Sequence, residues 1–353
     1  MKKQTWLHIG PPKTGTSAIQ RWLVSNRDLL TEHGIFYPEH ELGPNGISSG
    51  HLHCLLSQTD AGWEVDETKV SRLLKAFEDS GCNRLLLSSE YFFYHIDTLV
   101  RLLPGVRVVA YIRCPMETYE SAYNQGVKRH GKTEPLSFSK NLHTTTLDTL
   151  AAAANTLSGT RFYFRAYLNT DKADFNLLAD FADLLNLPVV PDNTSTNPSY
   201  SLEALKVKRW LNQFKLAELE ADIDGILQGF PDGTRHYTLL PEDKLERHTK
   251  QCINALREFH AAFHIKGAKH LIASVKNRQT RQIVSQDISP DAVVMVANYM
   301  FDTAPDLYGK ICQSLPAPTG TKDDNALLRQ FTQHHSPSRW PRLQKFIKRL
   351  FAK

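Results

Sequence analysis

The chain has 353 residues, of which 41% are hydrophobic and 22% are charged, with a formal net charge of +5. This length suits one large α/β domain with an appendage or two domains, and the composition is ordinary for a soluble protein. The five cysteines are scattered, odd in number and lack a C-x-x-C pair, which excludes an obvious disulfide framework or zinc site. A reducing cytosol fits best, and the mild positive charge is compatible with an anionic partner.

Neither a signal peptide nor a membrane-spanning helix is predicted. A glycine-rich loop begins at Gly10, which leaves no room for the apolar core of a signal peptide after Lys2 and Lys3. The longest apolar run, near 293–301, is too short to cross a bilayer. The sequence therefore predicts a soluble or peripheral cytoplasmic protein.

The stretch from Trp6 to Trp22 predicts a strand, a glycine-rich loop and a helix. The apolar run ends at Ile9, and helical spacing of apolar residues resumes after Gly15. Such a loop exposes backbone N–H groups in front of a helix dipole, which makes an anion site, so a phosphate-binding loop is predicted. The alternative is an ordinary strand-to-helix turn with a chance lysine. The loop also carries a cation and three hydroxyls: Lys13, Thr14, Thr16 and Ser17.

The spacing of this loop differs from that of nucleoside triphosphatases, G-x-x-x-x-G-K-[ST]. Thr16 occupies their lysine position, and Lys13 stands instead two residues before Gly15. Triphosphatases also need a carboxylate at the end of a neighbouring strand to hold magnesium. A later strand ends in Ile112-Arg113, and an arginine there favours an anionic ligand handled by protein cations. These features argue against ATP hydrolysis.

Strands and helices alternate along the first half of the chain, which predicts right-handed crossovers, a parallel sheet and ligands at the carboxyl ends of its strands. Gly10, Glu90 and Arg113 all fall at such ends. The predicted strands are 34–38, 84–89, 106–113 and 161–166, the predicted helices are 66–80, 95–103, 115–128 and 174–185, and 39–53 is predicted as a long loop, a candidate lid or substrate contact.

The composition shifts near residue 190, beyond which only helical periods are found, over 202–219, 241–263 and 290–313. The sequence thus predicts a nucleotide-binding core over 1–190, a helical cap packed on it over 191–315, and a tether with a terminal helix over 316–353.

A second anion site is predicted around Arg113. It stands at a strand end, and Ser121 lies about two turns into the helix that Pro115 opens, so both can face a second phosphate across the crevice. The alternative is a helix-opening proline with an arginine that pairs a local carboxylate.

Together the two motifs resemble those of the bacterial carbohydrate-type sulfotransferases that use 3′-phosphoadenosine 5′-phosphosulfate (PAPS). The loop Pro12-Lys13-Thr14-Gly15-Thr16-Ser17 is similar to their 5′-phosphosulfate motif, and Ile112-Arg113-x-Pro115 with Ser121 and Tyr123 looks like their 3′-phosphate motif. The resemblance covers about residues 4–190, includes smaller similarities at 34–38 and 88–90, and fades in the C-terminal part. It implies a P-loop-type three-layer α/β fold with a central parallel sheet and a helical C-terminal cap.

The resemblance also implies how PAPS is held. By position, the Lys13 ammonium and the N–H groups of Gly15, Thr16 and Ser17 hold the 5′-phosphosulfate, while Arg113 and Ser121 hold the 3′-phosphate. No metal is required, because a sulfuryl group carries little negative charge to neutralise. The main tasks are alignment and stabilisation of the leaving phosphate, for which Lys13 is the natural residue.

The acceptor hydroxyl must lose its proton, which requires a general base close to the loop. Glu90 ends a buried strand, where desolvation raises a carboxyl pKa, and glycan-acting relatives often use a glutamate. His51 and His53 in the predicted mobile loop are the rivals, and a structural Glu90 is the third possibility. His8 is interpreted as a satisfied histidine at the strand edge.

The expected function is therefore sulfuryl transfer to a hydroxyl, on a glycan or glycolipid, with no nucleic-acid partner. Two alternatives stay open: a kinase with an atypical loop, and a binding protein that keeps the nucleotide pocket without catalysis.

The C-terminal residues 338–353 predict a basic amphipathic helix. Trp340, Leu343, Ile347 and Leu350 recur at helical spacing, and basic residues without any acidic one fill the remaining positions. Such helices bind anionic membrane surfaces, which predicts peripheral attachment to the inner membrane face beside a lipid-linked acceptor. The alternative is packing on the protein's own core.

Overall fold

A computed structural model describes residues 3–40, 48–157, 159–168, 175–188, 199–317 and 323–334. Its strands are β1 (Gln4–His8), β2 (Ile35–Phe36), β3 (Leu56–Thr59), β4 (Gly62–Val65), β5 (Arg84–Ser88), β6 (Val106–Ile112), β7 (Arg161–Ala166), β8 (Tyr237–Thr238), β9 (Ile265–Lys266) and β10 (Gln282–Ile283). Its helices are α1 (Thr16–Ser25), α2 (Arg27–Glu32), α3 (Leu52–Leu55), α4 (Glu67–Asp79), α5 (Ile96–Leu102), α6 (Pro115–Arg129), α7 (Thr145–Thr156), α8 (Leu177–Leu184), α9 (Leu202–Leu211), α10 (Glu220–Gln228), α11 (Glu242–Phe263), α12 (Ala268–Asn277), α13 (Pro290–Thr303), α14 (Pro305–Ser314) and α15 (Asp323–Phe331).

The central element is a six-stranded sheet in the order β2-β5-β1-β6-β7-β9, and each neighbouring pair is parallel. This confirms the α/β class and the parallel sheet expected from the sequence. β1 lies between β5 and β6 and pairs with both, so it is buried on both edges. Trp6 and Leu7, which point to opposite faces of the sheet, are both buried, and strands covered on both faces need apolar residues throughout. The sheet with its flanking helices is compatible with a three-layer α/β fold.

One face of this sheet packs against α1, α2 and α8. Trp6 and Tyr111 contribute from the strands, Ile19 and Leu23 from α1, and Phe181 from α8. The apolar residues of α1 recur at three- and four-residue spacing, so they share one helix face and bury it on the sheet. This packing fixes where α1 begins, directly after the loop that follows β1.

Two compact units divide the described residues. The first is built from parts of Met1–Tyr119, Ser139–Thr196 and Asp243–Thr280, and the second from parts of Glu120–Phe138, Asn197–Glu242 and Arg281–Lys353. The predicted boundary near residue 190 therefore needs a correction. Residues 243–280 belong to the sheet unit, because β9 adds the edge strand beside β7 and Phe259 packs edge-on against Phe164 with 4.9 Å between ring centroids. A two-residue strand is too short to leave a periodic signal in the sequence.

The second unit contains α9, α10, α13, α14 and α15 and the short parallel pair β8 and β10. The single helix predicted over 290–313 breaks at Ala304. Pro305 begins a new helix there, since its missing N–H is tolerated only in a first turn. Helix α9 likewise ends at Leu211, earlier than the predicted 219.

The predicted long loop over 39–53 differs from the structure at its end. Leu52–Leu55 form α3, and an antiparallel hairpin of β3 and β4 follows, which the sequence did not predict. Residues 41–47 and the predicted C-terminal helix at 338–353 lie outside the described residues, so those expectations stay predictions. Within the described ranges, no helix is both long and apolar enough to cross a membrane.

Candidate functional site

The loop after β1 curls tightly in front of α1. Gly10, Lys13 and Gly15 have positive φ angles of 31°, 69° and 80°. A Cβ on Gly10 would lie 2.6 Å from Thr16 Oγ1, and one on Gly15 would lie 2.3 Å from Leu177 Cδ2, so neither position has room for a side chain. Helix α1 has no side-chain cap at its start and no acidic residue in its first turn. Its leading N–H groups are therefore available to an anion.

The three hydroxyls predicted as phosphate donors have different surroundings. Thr14 Oγ1 donates to the Pro11 carbonyl at 2.6 Å and is buried, so this hydroxyl closes the loop. The expectation that the Thr14 hydroxyl donates a hydrogen bond to a ligand is therefore corrected, because Pro11 already accepts from it. The Thr16 hydroxyl is buried, makes no hydrogen bond of normal geometry within the described residues, and lies close to Glu90. Lys13 and Ser17 are partly exposed, as is Pro12.

Glu90 follows β5 and begins a short 3₁₀ turn, Glu90–Tyr94, capped by the Ser89 hydroxyl. The residue remains open to solvent, yet the protein around its carboxyl raises the pKa of Glu90 by desolvation. The charge of Lys13 and the nearby hydroxyl of Thr16 partly offset this rise. Lys13 and Thr16 can lower the pKa of Glu90 only when they lie close to its carboxyl. The structure therefore places Glu90 beside the loop. A carboxyl with a raised pKa facing a cation is typical of functional sites.

His51 needs a correction, because it is not an open loop residue. It is fully buried, Nε2 donates to the Pro38 carbonyl at 3.1 Å, and Nδ1 accepts from the Ser88 N–H at 3.0 Å. Burial is the main reason that the pKa of His51 is lowered to about 3. With both ring nitrogens engaged, His51 acts as a structural bridge between the chain after β2 and the end of β5.

His8 is also buried, but the interpretation of a satisfied strand-edge histidine holds only in part: β1 is an interior strand, and His8 Nε2 has no hydrogen-bond partner among the described residues. Its Nδ1 contacts Ser88 Oγ at 2.8 Å, and burial lowers the pKa of His8 to about 3. Gln20 Nε2 donates to the same Ser88 hydroxyl at 3.3 Å. Ser88 thus joins β1, β5 and α1 two residues before Glu90, which fixes the backbone that carries the candidate base.

His53, the second rival base, is exposed at the surface on α3. Its ring packs edge-on against Trp63 with 5.1 Å between the centroids. Unlike His51, it is accessible to a substrate.

Arg113 has two protein contacts that sequence reasoning gave only in part. Nη1 donates to the Lys13 carbonyl at 2.7 Å, and Nε forms an ion pair at 3.4 Å with Glu117, four residues later in the first turn of α6. The guanidinium also lies over the Tyr167 ring at 5.1 Å. The pairing with a local carboxylate, given as the alternative, is therefore present. Arg113 also ties the loop after β1 to the end of β6.

Glu117 and Tyr167 are site residues that the sequence did not identify. Glu117 Oε1 accepts from the buried Arg278 at 3.2 Å, so one carboxylate holds two arginines. The available signal was an acidic residue four positions after Arg113, in the first turn of the helix that Pro115 begins.

Ser121 and Tyr123 lie further along α6, in the part of this helix that belongs to the second unit. Tyr123 is buried and its hydroxyl accepts from Arg209 Nη1 at 3.1 Å. Arg113 belongs to the first unit. The joint role predicted for Arg113 and Ser121 therefore stays a prediction.

Gly50 packs against Ser88 at the end of β5, so a substitution there tests the packing next to Glu90. Its φ is +64°, and an added Cβ would lie 2.0 Å from the Ser88 carbonyl oxygen. We expect Gly50→Ala to lower the free energy of unfolding by about 2 kcal/mol, combining left-handed backbone cost with displacement of β5. Gly81→Ala is the matched control, because φ is +72° but nothing lies within 4 Å. Equal losses in urea unfolding would show that contact with Ser88 is unimportant.

Comparison of the chain with family models, curated proteins and solved structures finds no match.

Proposed function

We propose that this protein is a PAPS-dependent sulfotransferase that transfers a sulfuryl group to a hydroxyl of a glycan or glycolipid. The observation that carries the proposal is the convergence of Lys13 and Glu90 at the uncapped start of α1. A cation with backbone donors suits a sulfated phosphate, and a carboxyl of raised pKa beside it suits the removal of a proton. The P-loop type of the fold belongs to the same proposal.

The loop residues supply binding and transition-state stabilisation. The N–H groups of Gly15, Thr16 and Ser17 would hold the 5′-phosphosulfate of PAPS, and the Lys13 ammonium would balance the charge that grows on the leaving phosphate. Lys13 is held in a left-handed backbone conformation, and its carbonyl is fixed by Arg113. Arg113 thus fixes the backbone of Lys13 through its carbonyl and does not engage its ammonium. A fixed backbone favours a preorganised position of the ammonium.

Glu90 would accept the proton of the acceptor hydroxyl. Desolvation moves its pKa upward, toward the range where a carboxylate is a better base. His51 is a poorer candidate because both of its ring nitrogens are engaged. His53 keeps its place as the rival, since its ring is exposed.

A kinase or other nucleoside-triphosphate enzyme is the second candidate, and one observation favours it. Glu90 follows β5, next to β1, and lies beside the Thr16 hydroxyl. Triphosphatases hold magnesium with a hydroxyl of the loop and a carboxylate at a neighbouring strand end. The order of Lys13 and Gly15 in the loop still differs from theirs. Nucleotide preference separates the two candidates.

The experiment is a transfer assay with ³⁵S-labelled PAPS and a panel of oligosaccharides and glycolipids, with products identified by mass spectrometry. We expect a sulfated product from the wild-type chain and from Lys75→Ala, a change of an exposed lysine on α4. Transfer of phosphate from ATP to the same panel, without transfer from PAPS, would favour the second candidate and contradict the first.

Arg113→Ala should weaken the binding of adenosine 3′,5′-bisphosphate by about 2 kcal/mol, roughly thirtyfold, the scale of one charge-assisted contact. The substitution removes the predicted contact with the 3′-phosphate and also releases the Lys13 carbonyl. Calorimetry measures the change, and Arg101→Ala, an exposed arginine on α5, is the control. If adenosine 5′-monophosphate loses as much affinity as the bisphosphate, the contact is with the loop and not with the 3′-phosphate.

A further inference from the structure

Three aromatic side chains, one of them the rival base His53, form a continuous cluster next to Glu90. The ring centroids of His53 and Trp63 lie 5.1 Å apart, and those of Trp63 and Tyr91 lie 6.0 Å apart. Tyr91 is 37% exposed, His53 is exposed and Trp63 is partly exposed. Tyr91 directly follows Glu90, so their Cα atoms are about 3.8 Å apart. A molecule seated on this aromatic cluster would be close to the candidate base.

The polar ends of these side chains are available to a ligand. Among the residues that the structure describes, the Trp63 indole N–H, the Tyr91 hydroxyl and the His53 ring have no hydrogen-bond partner. Gln58 stands opposite Trp63 in the hairpin register, on the same face, and is exposed. The cluster therefore offers aromatic faces together with a rim of hydrogen-bonding groups.

Neighbouring rings in the cluster are inclined at 71° and 66°, so they form corners and not a flat surface. A corner contacts a ring-shaped ligand on one face and along one edge. Aromatic faces carry partial negative charge and attract C–H groups, while the polar rim matches hydroxyls. A pyranose ring presents both features at once, with C–H groups on its faces and hydroxyls around its edge.

We propose that the aromatic cluster of His53, Trp63 and Tyr91 binds a pyranose ring of the acceptor and presents a hydroxyl to Glu90, an inference that rests on the proposed function. A phenol or a lipid chain fits this surface less well. Either would displace water from the rim groups without replacing all of its hydrogen bonds, and apolar ligands are mostly held in enclosed apolar pockets. The open, polar-rimmed cluster instead gives acceptor specificity for sugars.

The test uses the full chain labelled with 5-fluorotryptophan and followed by ¹⁹F NMR. The chain has five tryptophans, and Trp63→Phe assigns the relevant resonance. The probes are cellotetraose, chitotetraose and a chondroitin tetrasaccharide, with 2-naphthol and phosphatidylglycerol vesicles as the other classes. We expect at least one tetrasaccharide to shift the Trp63 resonance saturably, and the other two classes to leave it unchanged.

Tyr91→Ala should weaken tetrasaccharide binding about tenfold, the effect of removing one aromatic contact at a binding site. Tyr94→Ala is the matched control and should change nothing. It removes a more exposed tyrosine, at 67%, from the same turn, and its ring packs on Phe93 outside the cluster. Equal weakening by both substitutions would overturn the assignment, and the dispersion of the tryptophan resonances reports whether each variant is folded.

No shift with any tetrasaccharide, or a shift with 2-naphthol or vesicles alone, would also overturn the inference. Titration of the same samples with adenosine 3′,5′-bisphosphate separates it from the proposed function. Nucleotide binding without sugar binding contradicts the aromatic cluster alone. Sugar binding without nucleotide binding supports the cluster and contradicts the assignment to PAPS.

Discussion

Lys13→Ala is expected to lower kcat for sulfuryl transfer about 10²–10³-fold while leaving the fold intact. The loss is large because a cation aimed at a developing charge works mainly in the transition state. The fold should survive because the contact of Arg113 is with the Lys13 carbonyl, which alanine keeps. Release of adenosine 3′,5′-bisphosphate in the presence of an oligosaccharide acceptor measures the rate.

Lys75→Ala is the control for this substitution, since it removes an exposed lysine from α4 in the same unit. Thermal unfolding should show that both variants are folded. A Lys13→Ala variant with unchanged kcat and only a raised KM would mean that the lysine binds substrate and transition state equally, which contradicts its role at the leaving phosphate.

Glu90→Gln is expected to lower kcat about 10²–10⁴-fold, the range of a general base, with nucleotide affinity nearly unchanged. In the wild type, kcat should rise with pH through the raised pKa of Glu90, because only the ionised carboxylate accepts a proton. This rise of kcat with pH should be absent in Glu90→Gln. A variant with near-wild-type rate, together with an inactive His53→Ala, would move the base to His53.

The raised pKa of Glu90 also predicts how stability depends on pH. Stability should fall as the pH rises through this pKa, whereas kcat should rise. A carboxyl whose pKa is raised in the folded protein adds stability below its ordinary pKa of about 4.3, and that contribution is lost as the pH rises through the raised value. At neutral pH the ionised Glu90 therefore opposes folding. Glu90→Gln should raise Tm at pH 7, and the difference should vanish near pH 4.

Much of the first unit could be predicted because its signals are local. The apolar run of β1, the glycines of the loop and the spacing of apolar residues in α1 each report their own conformation. The alternation of strands and helices then implies a parallel sheet, and the ends of β1, β5 and β6 implied where Lys13, Glu90 and Arg113 would lie. The structure places Lys13 near Glu90 and in contact with Arg113 through its carbonyl.

The remainder depends on contacts between distant segments. His51 stands in a polar stretch that reads as an open loop, yet its ring is buried between Pro38 and Ser88. Strand β9 has two residues and no periodicity of its own, so its place beside β7 could not be predicted. Glu117 was overlooked because a carboxylate in the first turn of a helix is common for reasons unrelated to a site.

Calorimetric titration of the full chain with adenosine 3′,5′-bisphosphate, adenosine 5′-monophosphate and ATP with Mg²⁺ tests the central claim most directly. The proposed function predicts that the bisphosphate binds without a metal, at least about tenfold more tightly than either other nucleotide, since one charge-assisted contact exceeds 1.4 kcal/mol. It also predicts that Lys13→Ala and Arg113→Ala reduce this affinity while Lys75→Ala does not. Tighter binding of ATP with Mg²⁺, or no binding of the bisphosphate, would contradict the assignment.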